Sequence, residues 1–400
     1  MREPKPIQRM ELSEKNKTLR IIAAIALFLI GMVGITVGIK SALSKDNGWQ
    51  RVQITPDERS CAEQFLLQYD FGRSGAKATV VNRKLQSVYS EACVKAYNLF
   101  TNDEQISGVN NMYYVNRHPN EVISVDPVLY AAFEKLDGTP WLYMGPVYAH
   151  YNNMIYNTDE AMLDALDPAM SAEAKAYVET LAVFAADRNA VELQLLGNNQ
   201  VKLAVSQEYL TYAQQEEIET FIDFAYMTNA FVIDYLADCL IEAELTDGYL
   251  ASCDGFTRNL TSYERFRFNI FDRVDNLINI AAVMEYQGPI SMVYLKDYPS
   301  ANSDANYRGH EDHFIHLMAD PTDGMYRVAE ENLVSYSYEL SCADVLLQML
   351  PGYVGNDFQV PQGVFSVWCE ADLVCYNDEA IHMLDQMQSQ NTSYRIALKK

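Results

Sequence analysis

Positive charge is scarce in this sequence. Its 400 residues hold 30 Lys and Arg against 54 Asp and Glu, a formal net charge of −24. A nucleic-acid partner requires a basic face that releases counterions from phosphates, and this balance argues against one. The patterns G-x-x-x-x-G-K-[ST], G-x-G-x-x-G, H-E-x-x-H and G-x-S-x-G are all missing, which removes the commonest nucleotide-binding and hydrolase signatures. No C-x2-C pair occurs among the seven cysteines, so a structural zinc site is not indicated. Disorder throughout is also excluded, because 49% of the residues are hydrophobic and only 21% charged, enough to build a core.

The bases that are present are unevenly placed. Residues 1–20 carry six (Arg2, Lys5, Arg9, Lys15, Lys17, Arg20) against three acids, so the rest of the chain holds −27. Residues 21–39 read IIAAIALFLIGMVGITVGI, without one charge. At about 1.5 Å rise per residue this run matches the roughly 30 Å hydrocarbon core of a bilayer. Its apolar residues cover all faces, unlike a surface-lying amphipathic helix. Lys15, Lys17 and Arg20 precede it, which predicts a cytoplasmic N-terminus and an outer bulk. The run exceeds the about 7–15 residues of a cleaved signal, so an uncleaved single-pass anchor in the cell membrane is expected. No later segment is apolar and long enough to span, and the first cysteine, Cys61, lies too far on for a lipid anchor.

Outside the cytoplasm disulfides are permitted, and Cys369 and Cys375 are the best local candidates for a pair. Cys239, Cys253 and Cys342 sit in apolar runs and read as small buried hydrophobes. Residues 40–60 read as a linker. Ala78 to Phe100, Asp126-Pro127 onward, Ala161 to Phe184 with a break at Asp167-Pro168, Thr228 to Leu245 and Ala343 to Met349 carry helical signals. Val191–Leu196, Gly197-Asn198-Asn199 and Val201–Val205 form a hairpin pattern. Further strands are expected at Met112–Val115, Val122–Val125, Ile218–Phe224, Tyr249–Cys253, Phe266–Ile270, Ile278–Met284, Ser291–Leu295 and Leu333–Tyr338, with a polar helical tail at the end. Helices and strands mix without regular parallel units, so the class is α+β.

Three of the six histidines lie in His310-Glu311-Asp312-His313-Phe314-Ile315-His316. Neither helical nor strand geometry brings all three to one face, and the neighbouring acids suit a solvated loop. Two longer segments matter more. Ile222-Asp223-Phe224-Ala225-Tyr226-Met227-Thr228-Asn229 leads through a helix with Asp234 to Ser252-Cys253-Asp254-Gly255. Later come His313 to Gly324, containing Asp320-Pro321, and then Ser341-Cys342-Ala343-Asp344 to Gln348. A turn at a helix N-terminus is where free N–H groups can face a phosphate.

In this order the segments resemble the FAD:protein FMN transferases of the ApbE type, across about residues 61–350. The family runs D-L-G-G-I-A-K-G-Y-x-x-D, helix, N-x-G-G, then H-H-I-x-D-P-x-T-G and A-D-A-x-x-T. The resemblance implies a bilobed fold with FAD in a cleft and Mg²⁺-assisted transfer of FMN to a Thr or Ser of a partner protein. Carried over, Asp344 and Gln348 stand at metal positions, Asp344 and His316 (His313 more weakly) are the catalytic candidates, and Asp234, Asn229, Asp254, Gly255 and Asp320 stand at cofactor positions. Ser74-Gly75-Ala76-Lys77-Ala78-Thr79 resembles the S-G-A-T flavin acceptor, but an insertion breaks its spacing and a turn into a helix is expected. The departures are many: Ala225-Tyr226 replace the glycine pair, Asn229 the lysine, Gln348 the threonine, and Asp323-Gly324 the T-G. Lost positive charge and added negative charge oppose an anionic dinucleotide. The expectation is a degenerate member: a tail at 1–20, an anchor at 21–39, a linker at 40–60, the flavin-transferase-like domain at 61–350 and an extension at 351–400. It would act as a binding or scaffold subunit of an envelope assembly, contacting the bilayer and a protein partner; the alternative is an active transferase flavinylating an exported redox protein.

Overall fold

The computed structural model describes residues 48–274, 277–299, 306–385 and 394–399. The expected membrane anchor at 21–39 and the tail before it lie outside the described residues. Among the described residues no helix is long and apolar enough to cross a membrane.

The chain begins with β1 (Trp49–Arg51), β2 (Phe65–Asp70), α1 (Ala78–Phe100), α2 (Met112–Arg117), β3 (Val122–Ser124), α3 (Pro127–Leu136), α4 (Gly145–Tyr156), α5 (Glu160–Leu166) and α6 (Ala172–Ala186). The hairpin β4 (Val191–Gly197) and β5 (Gln200–Val205) follows, then α7 (Gln207–Gln215), α8 (Thr228–Glu242), β6 (Gly248–Ser252), β7 (Phe256–Asn259), β8 (Arg265–Val274), β9 (Leu277–Gln287) and β10 (Ile290–Lys296). The last part holds β11 (Tyr307–His310), β12 (His313–His316), β13 (Asn332–Ser337), α9 (Cys342–Tyr353), β14 (Phe365–Glu370), β15 (Leu373–Tyr376), β16 (His382–Asp385) and β17 (Arg395–Leu398).

Nine of these strands form one sheet in the order β1-β2-β6-β7-β10-β13-β14-β15-β17. Its neighbours are antiparallel except β15 and β17, which run parallel. Strand period two sorts the side chains between two cores. Val293, Leu295, Leu333, Trp368 and Cys375 point to the face covered by α1, α8 and α9. Met292, Tyr294, Val334, Tyr336, Val367, Cys369 and Val374 point to the other face, against the small sheet β16-β9-β8. Burying a Val, Leu or Phe contributes about 1.5–3 kcal/mol, so each face anchors the sheet separately.

This sorting also corrects the expected disulfide. Cys369 pairs in register with Val374 and Cys375 with Trp368, so the two thiols project from opposite faces and stay free. Cys253 is exposed in the β6–β7 turn rather than buried, while Cys342 is buried as expected and Cys239 half-buried. The predicted polar helical tail is absent among the described residues; β16 and β17 occupy that stretch, and β17 extends the main sheet.

The helices begin where capping chemistry allows. Asp126 accepts the Val128 amide ahead of Pro127, and Ser171 accepts the Ala174 amide at the start of α6. Asn198 and Asn199 both take positive φ, 50° and 58°, and close the β4–β5 hairpin. Two expected strands are not strands. Met112–Val115 is the start of α2, because Asn111 caps it by accepting the Tyr114 amide at 3.0 Å. Residues 218–224 join no sheet because Asn116, itself buried, satisfies their backbone. Its Oδ1 accepts from the Phe221 and Ile222 amides at 2.9 and 3.0 Å, and its Nδ2 donates to the Ile222 carbonyl at 2.8 Å.

Removing that clamp strands buried amide and carbonyl groups. We expect Asn116→Ala to lower the unfolding free energy by about 2–4 kcal/mol, read from the urea midpoint of the full-length chain; a midpoint unchanged from the parent would show that the segment is held by other contacts.

Candidate functional site

The Asn116 clamp delivers Asp223 to the wall of a cavity of about 650 Å³. Asp223 accepts the Ala225 amide at 2.9 Å and the Asn102 side-chain amide at 3.1 Å. Burial pushes its carboxyl above the usual range, opposed by those hydrogen bonds. Ala225 turns the chain with φ 46°, the left-handed region that glycine favours. A short 3-10 turn, Ala225–Met227, then feeds α8.

Tyr226 lines the same cavity and meets Tyr148 edge to face, ring centroids 5.8 Å apart. Its hydroxyl is buried, and burial raises its pKa against the opposing effect of the Tyr148 hydroxyl. One helical turn further, Asn229 is 7% exposed and donates from Nδ2 to Asp254 Oδ2 at 2.9 Å. The Asn229 Oδ1 acceptor has no partner. Asp254 sits in the β6–β7 turn beside Gly255, where φ is 104° and an added Cβ would stand 2.0 Å from the Tyr294 carbonyl oxygen. Only glycine fits there. Asp103, from the loop after α1, completes three carboxylates around the cavity. Its described lining contains no Lys or Arg, and Tyr97, Phe100 and Tyr156 add aromatic surface.

The structure thus brings Asn229, Asp254 and Gly255 together and leaves the other carried-over residues elsewhere. Asp234 lies on α8 but points away from this cavity's lining, toward the start of α9. Its carboxylate accepts the Cys342 and Ala343 amides at 2.9 and 2.8 Å and stands 3.5 Å from Arg258 Nε. Burial pushes Asp234 up, and Arg258 and the two amides oppose it.

Asp344 is the third residue of α9 and closes a capping box with Ser341. It accepts from the Ser341 hydroxyl at 2.6 Å and is ion-paired with Lys135 from α3. Gln348, one turn on, is exposed. Among the described residues no group of three His, Cys, Asp or Glu side chains converges to hold a metal ion.

The histidine segment is a hairpin instead of a solvated loop. Glu311, at φ 49°, takes the turn, and His310 faces His313 across it. His313 Nε2 donates to Asp167 at 2.9 Å, and His310 Nε2 stands 3.0 Å from Asp164. His316 is buried, and its pKa is pushed down to about 3 by burial with help from His313. It is therefore neutral, and its Nδ1 accepts the Met318 amide at 3.2 Å. Asp320 accepts from Thr322 at 2.9 and 2.7 Å and from Arg327 at 2.7 Å; Arg327 also reaches Asp323 at 2.7 Å. Gly324 is required by packing, since a Cβ would lie 2.5 Å from the Val178 carbonyl.

Lys135 and Arg258 were not legible as site residues, because an ion pair between elements leaves no spacing signal: Lys135 and Asp344 are 209 residues apart. Asp223 had a signal, standing at the aspartate that opens the D-L-G-G pattern.

The Asp344 carboxyl is half-buried, which raises its pKa, but hydrogen bonds from Lys135 and Ser341 outweigh this and hold it below the usual range. A depressed carboxyl contributes stability above its unfolded pKa of about 4 and loses it as pH falls through the folded value. Asp344→Asn is expected to lower the thermal midpoint at pH 7 by a difference that shrinks as pH falls below about 4 and that added Mg²⁺ does not alter. A parent midpoint that climbs with Mg²⁺ while the variant's does not would assign Asp344 to a metal.

No family model matches the chain, and no curated protein sequence does. Among solved structures, the flavin transferase ApbE from Vibrio cholerae aligns at 12% identity with TM-score 0.50, covering 80% of this chain and 92% of its own. The ApbE protein from Thermotoga maritima aligns at 12% identity with TM-score 0.49, covering 80% and 94%. At such low identity the likeness concerns architecture, and on the Vibrio cholerae alignment the chain has the mixed α+β fold of the flavin transferase ApbE.

Proposed function

We propose that this protein is a flavin-transferase-fold subunit without transferase chemistry, held in the cell membrane by residues 21–39, which binds a partner protein as part of an envelope assembly. The observation carrying this reading is the electrostatics of the cavity beside α8. Asp103, Asp223 and Asp254 line it, and no described lining residue is Lys or Arg. A carboxylate and a phosphate about 8 Å apart repel by roughly 2 kcal/mol at an effective dielectric near 20. Several such pairs would meet a pyrophosphate here, and no described lining residue is a cation that offsets them. Tyr226 adds bulk where the family has glycine.

The residues do not fit a bound magnesium ion either. Asp344 already has the Lys135 ammonium and the Ser341 hydroxyl, and Gln348 offers one neutral exposed oxygen. A divalent cation would have to displace an internal ion pair without gaining a second carboxylate. His316, held neutral and bonded to a backbone amide, has no free basic nitrogen turned toward the cavity lining.

The reading is tested by incubating the full-length chain with FAD, Mg²⁺ and an acceptor protein carrying an S-G-A-T segment. We expect no covalent flavin fluorescence on the acceptor after denaturing electrophoresis; labelling that Asp344→Ala abolishes would establish the active transferase instead. The anchor is tested by fractionation. The intact chain is expected in the membrane pellet after alkaline carbonate washing, and a chain lacking residues 21–39 in the supernatant. Recovery of both in the supernatant would remove the bilayer from the proposal.

A further inference from the structure

Two buried cysteines from separate elements meet in the core: Cys61, just before β2, and Cys93, within α1. We propose that Cys61 and Cys93 are a disulfide-forming pair, joined as the domain folds in an oxidising compartment. The occasion for that bond rests on the reading of residues 21–39 as an anchor that leaves the domain outside the cytoplasm.

Both residues are buried, at 5% and 0% exposure, and both thiols are free in the structure. The Cys93 carbonyl oxygen accepts twice from Cys61, from its amide at 3.3 Å and from its thiol at 3.4 Å. Main chain and sulfur of residue 61 are thus both held against residue 93. The two thiols also hydrogen-bond side chain to side chain, and the Tyr89 hydroxyl, one turn earlier on α1, lies beside both. A bridge needs Cα atoms about 4–7 Å apart and converging side chains. A main-chain hydrogen bond between the two residues supplies that spacing.

Other pairings are weaker. Cys369 and Cys375 project from opposite faces of the sheet, and the Cys342 thiol donates to the Thr257 carbonyl at 3.3 Å. Cys239, on α8, is the rival partner for Cys93, but its thiol is hydrogen-bonded to Tyr235 on its own helix. A metal does not suit these thiols, because no three His, Cys, Asp or Glu side chains converge among the described residues.

The bond is made by thiol–disulfide exchange with a disulfide donor of the compartment. The Cys61 thiolate attacks the donor, forming a mixed disulfide and releasing one donor thiol. The Cys93 thiolate then attacks the Cys61 sulfur, closing the bridge and expelling the second donor thiol. Two protein thiols are oxidised by two electrons, one donor disulfide is reduced, and the two protons end on the donor thiols. Only a thiolate attacks, and in the folded protein the neighbouring Cys61 thiol and burial push the Cys93 thiol up, away from ionisation. The exchange therefore belongs to the folding chain, before α1 packs over residue 61. Once closed, the bridge encloses β2 and ties residues 32 apart in sequence, which restricts the unfolded chain.

The full-length chain in detergent is unfolded and reduced in urea with dithiothreitol, then returned to native buffer with reduced and oxidised glutathione. Its remaining thiols are alkylated. Non-reducing peptide mapping by mass spectrometry is expected to find the Cys61 peptide joined to the Cys93 peptide. The oxidised chain should melt about 5 °C above the reduced one, and Cys61→Ala should remove that difference. Cys61 and Cys93 both alkylated, or Cys93 joined to Cys239 or any other cysteine, overturns the inference, whether or not the variant folds. The same mapping on chain extracted from membranes in the presence of alkylating agent separates this inference from the reading beneath it. A bridge after glutathione refolding with two alkylated thiols in the extract keeps the pair and removes the outer placement. No bridge in either sample sinks the pair alone.

Discussion

One buried carboxylate joins three elements of this fold. Asp234 on α8 receives the first amides of α9 and pairs with Arg258 on β7. Both side chains are largely shielded, 12% and 17% exposed, so neither charge has water as an alternative partner. Breaking such an arrangement from one side leaves an uncompensated buried charge, typically at several kcal/mol. The helix dipole of α9 adds to the attraction, because its positive end meets the acid. The direction of α9 against the sheet is thereby tied to the position of α8.

The rest of the site follows from that junction. With α8 fixed, Asn229 reaches Asp254 and closes one side of the cavity. With α9 fixed, Asp344 comes within reach of Lys135 on α3, in the other part of the chain. Asp320 repeats the pattern with Arg327. Asp234, Asp320 and Asp344 thus each already have an internal cation or helix amide. Of the carboxylates lining the cavity, Asp223 accepts the Ala225 amide and the Asn102 side-chain amide, and Asp254 accepts from Asn229. With Asp103 they place three acids in a lining whose described residues include no Lys or Arg.

Much of the architecture is legible in the sequence where local chemistry decides it. Asp126-Pro127 announces α3, Asn198-Asn199 announces the β4–β5 turn, and apolar spacing from Ala78 to Phe100 announces α1. Reading fails where a distant side chain decides. The apolar run 218–224 looks like a strand, but Asn116, over a hundred residues away, takes its hydrogen bonds. Cys369 and Cys375 look like a pair until the β14–β15 register puts them on opposite faces. The site divides in the same way. Asn229, Asp254 and Gly255 were reached through the resemblance, whose ordered segments bring the start of α8 and the β6–β7 turn together. Lys135 and Arg258 escape notice because an ion pair across folded layers has no spacing signature.

Two glycines of the resembling segments are fixed by packing against protein backbone. Gly255 stands where any Cβ would strike the Tyr294 carbonyl, and Gly324 where it would strike that of Val178. Both contacts are with protein backbone, so these glycines are demanded by strand and helix packing whether or not a phosphate ever approaches. Ala225 makes the complementary case. It holds a left-handed backbone, φ 46°, yet carries a methyl group and is followed by Tyr226. Backbone path and side-chain lining therefore answer to different constraints in this molecule. Packing enforces the path, and through it the likeness to a flavin transferase fold. The lining answers to no such packing demand, and here it presents carboxylates with no Lys or Arg among its described residues.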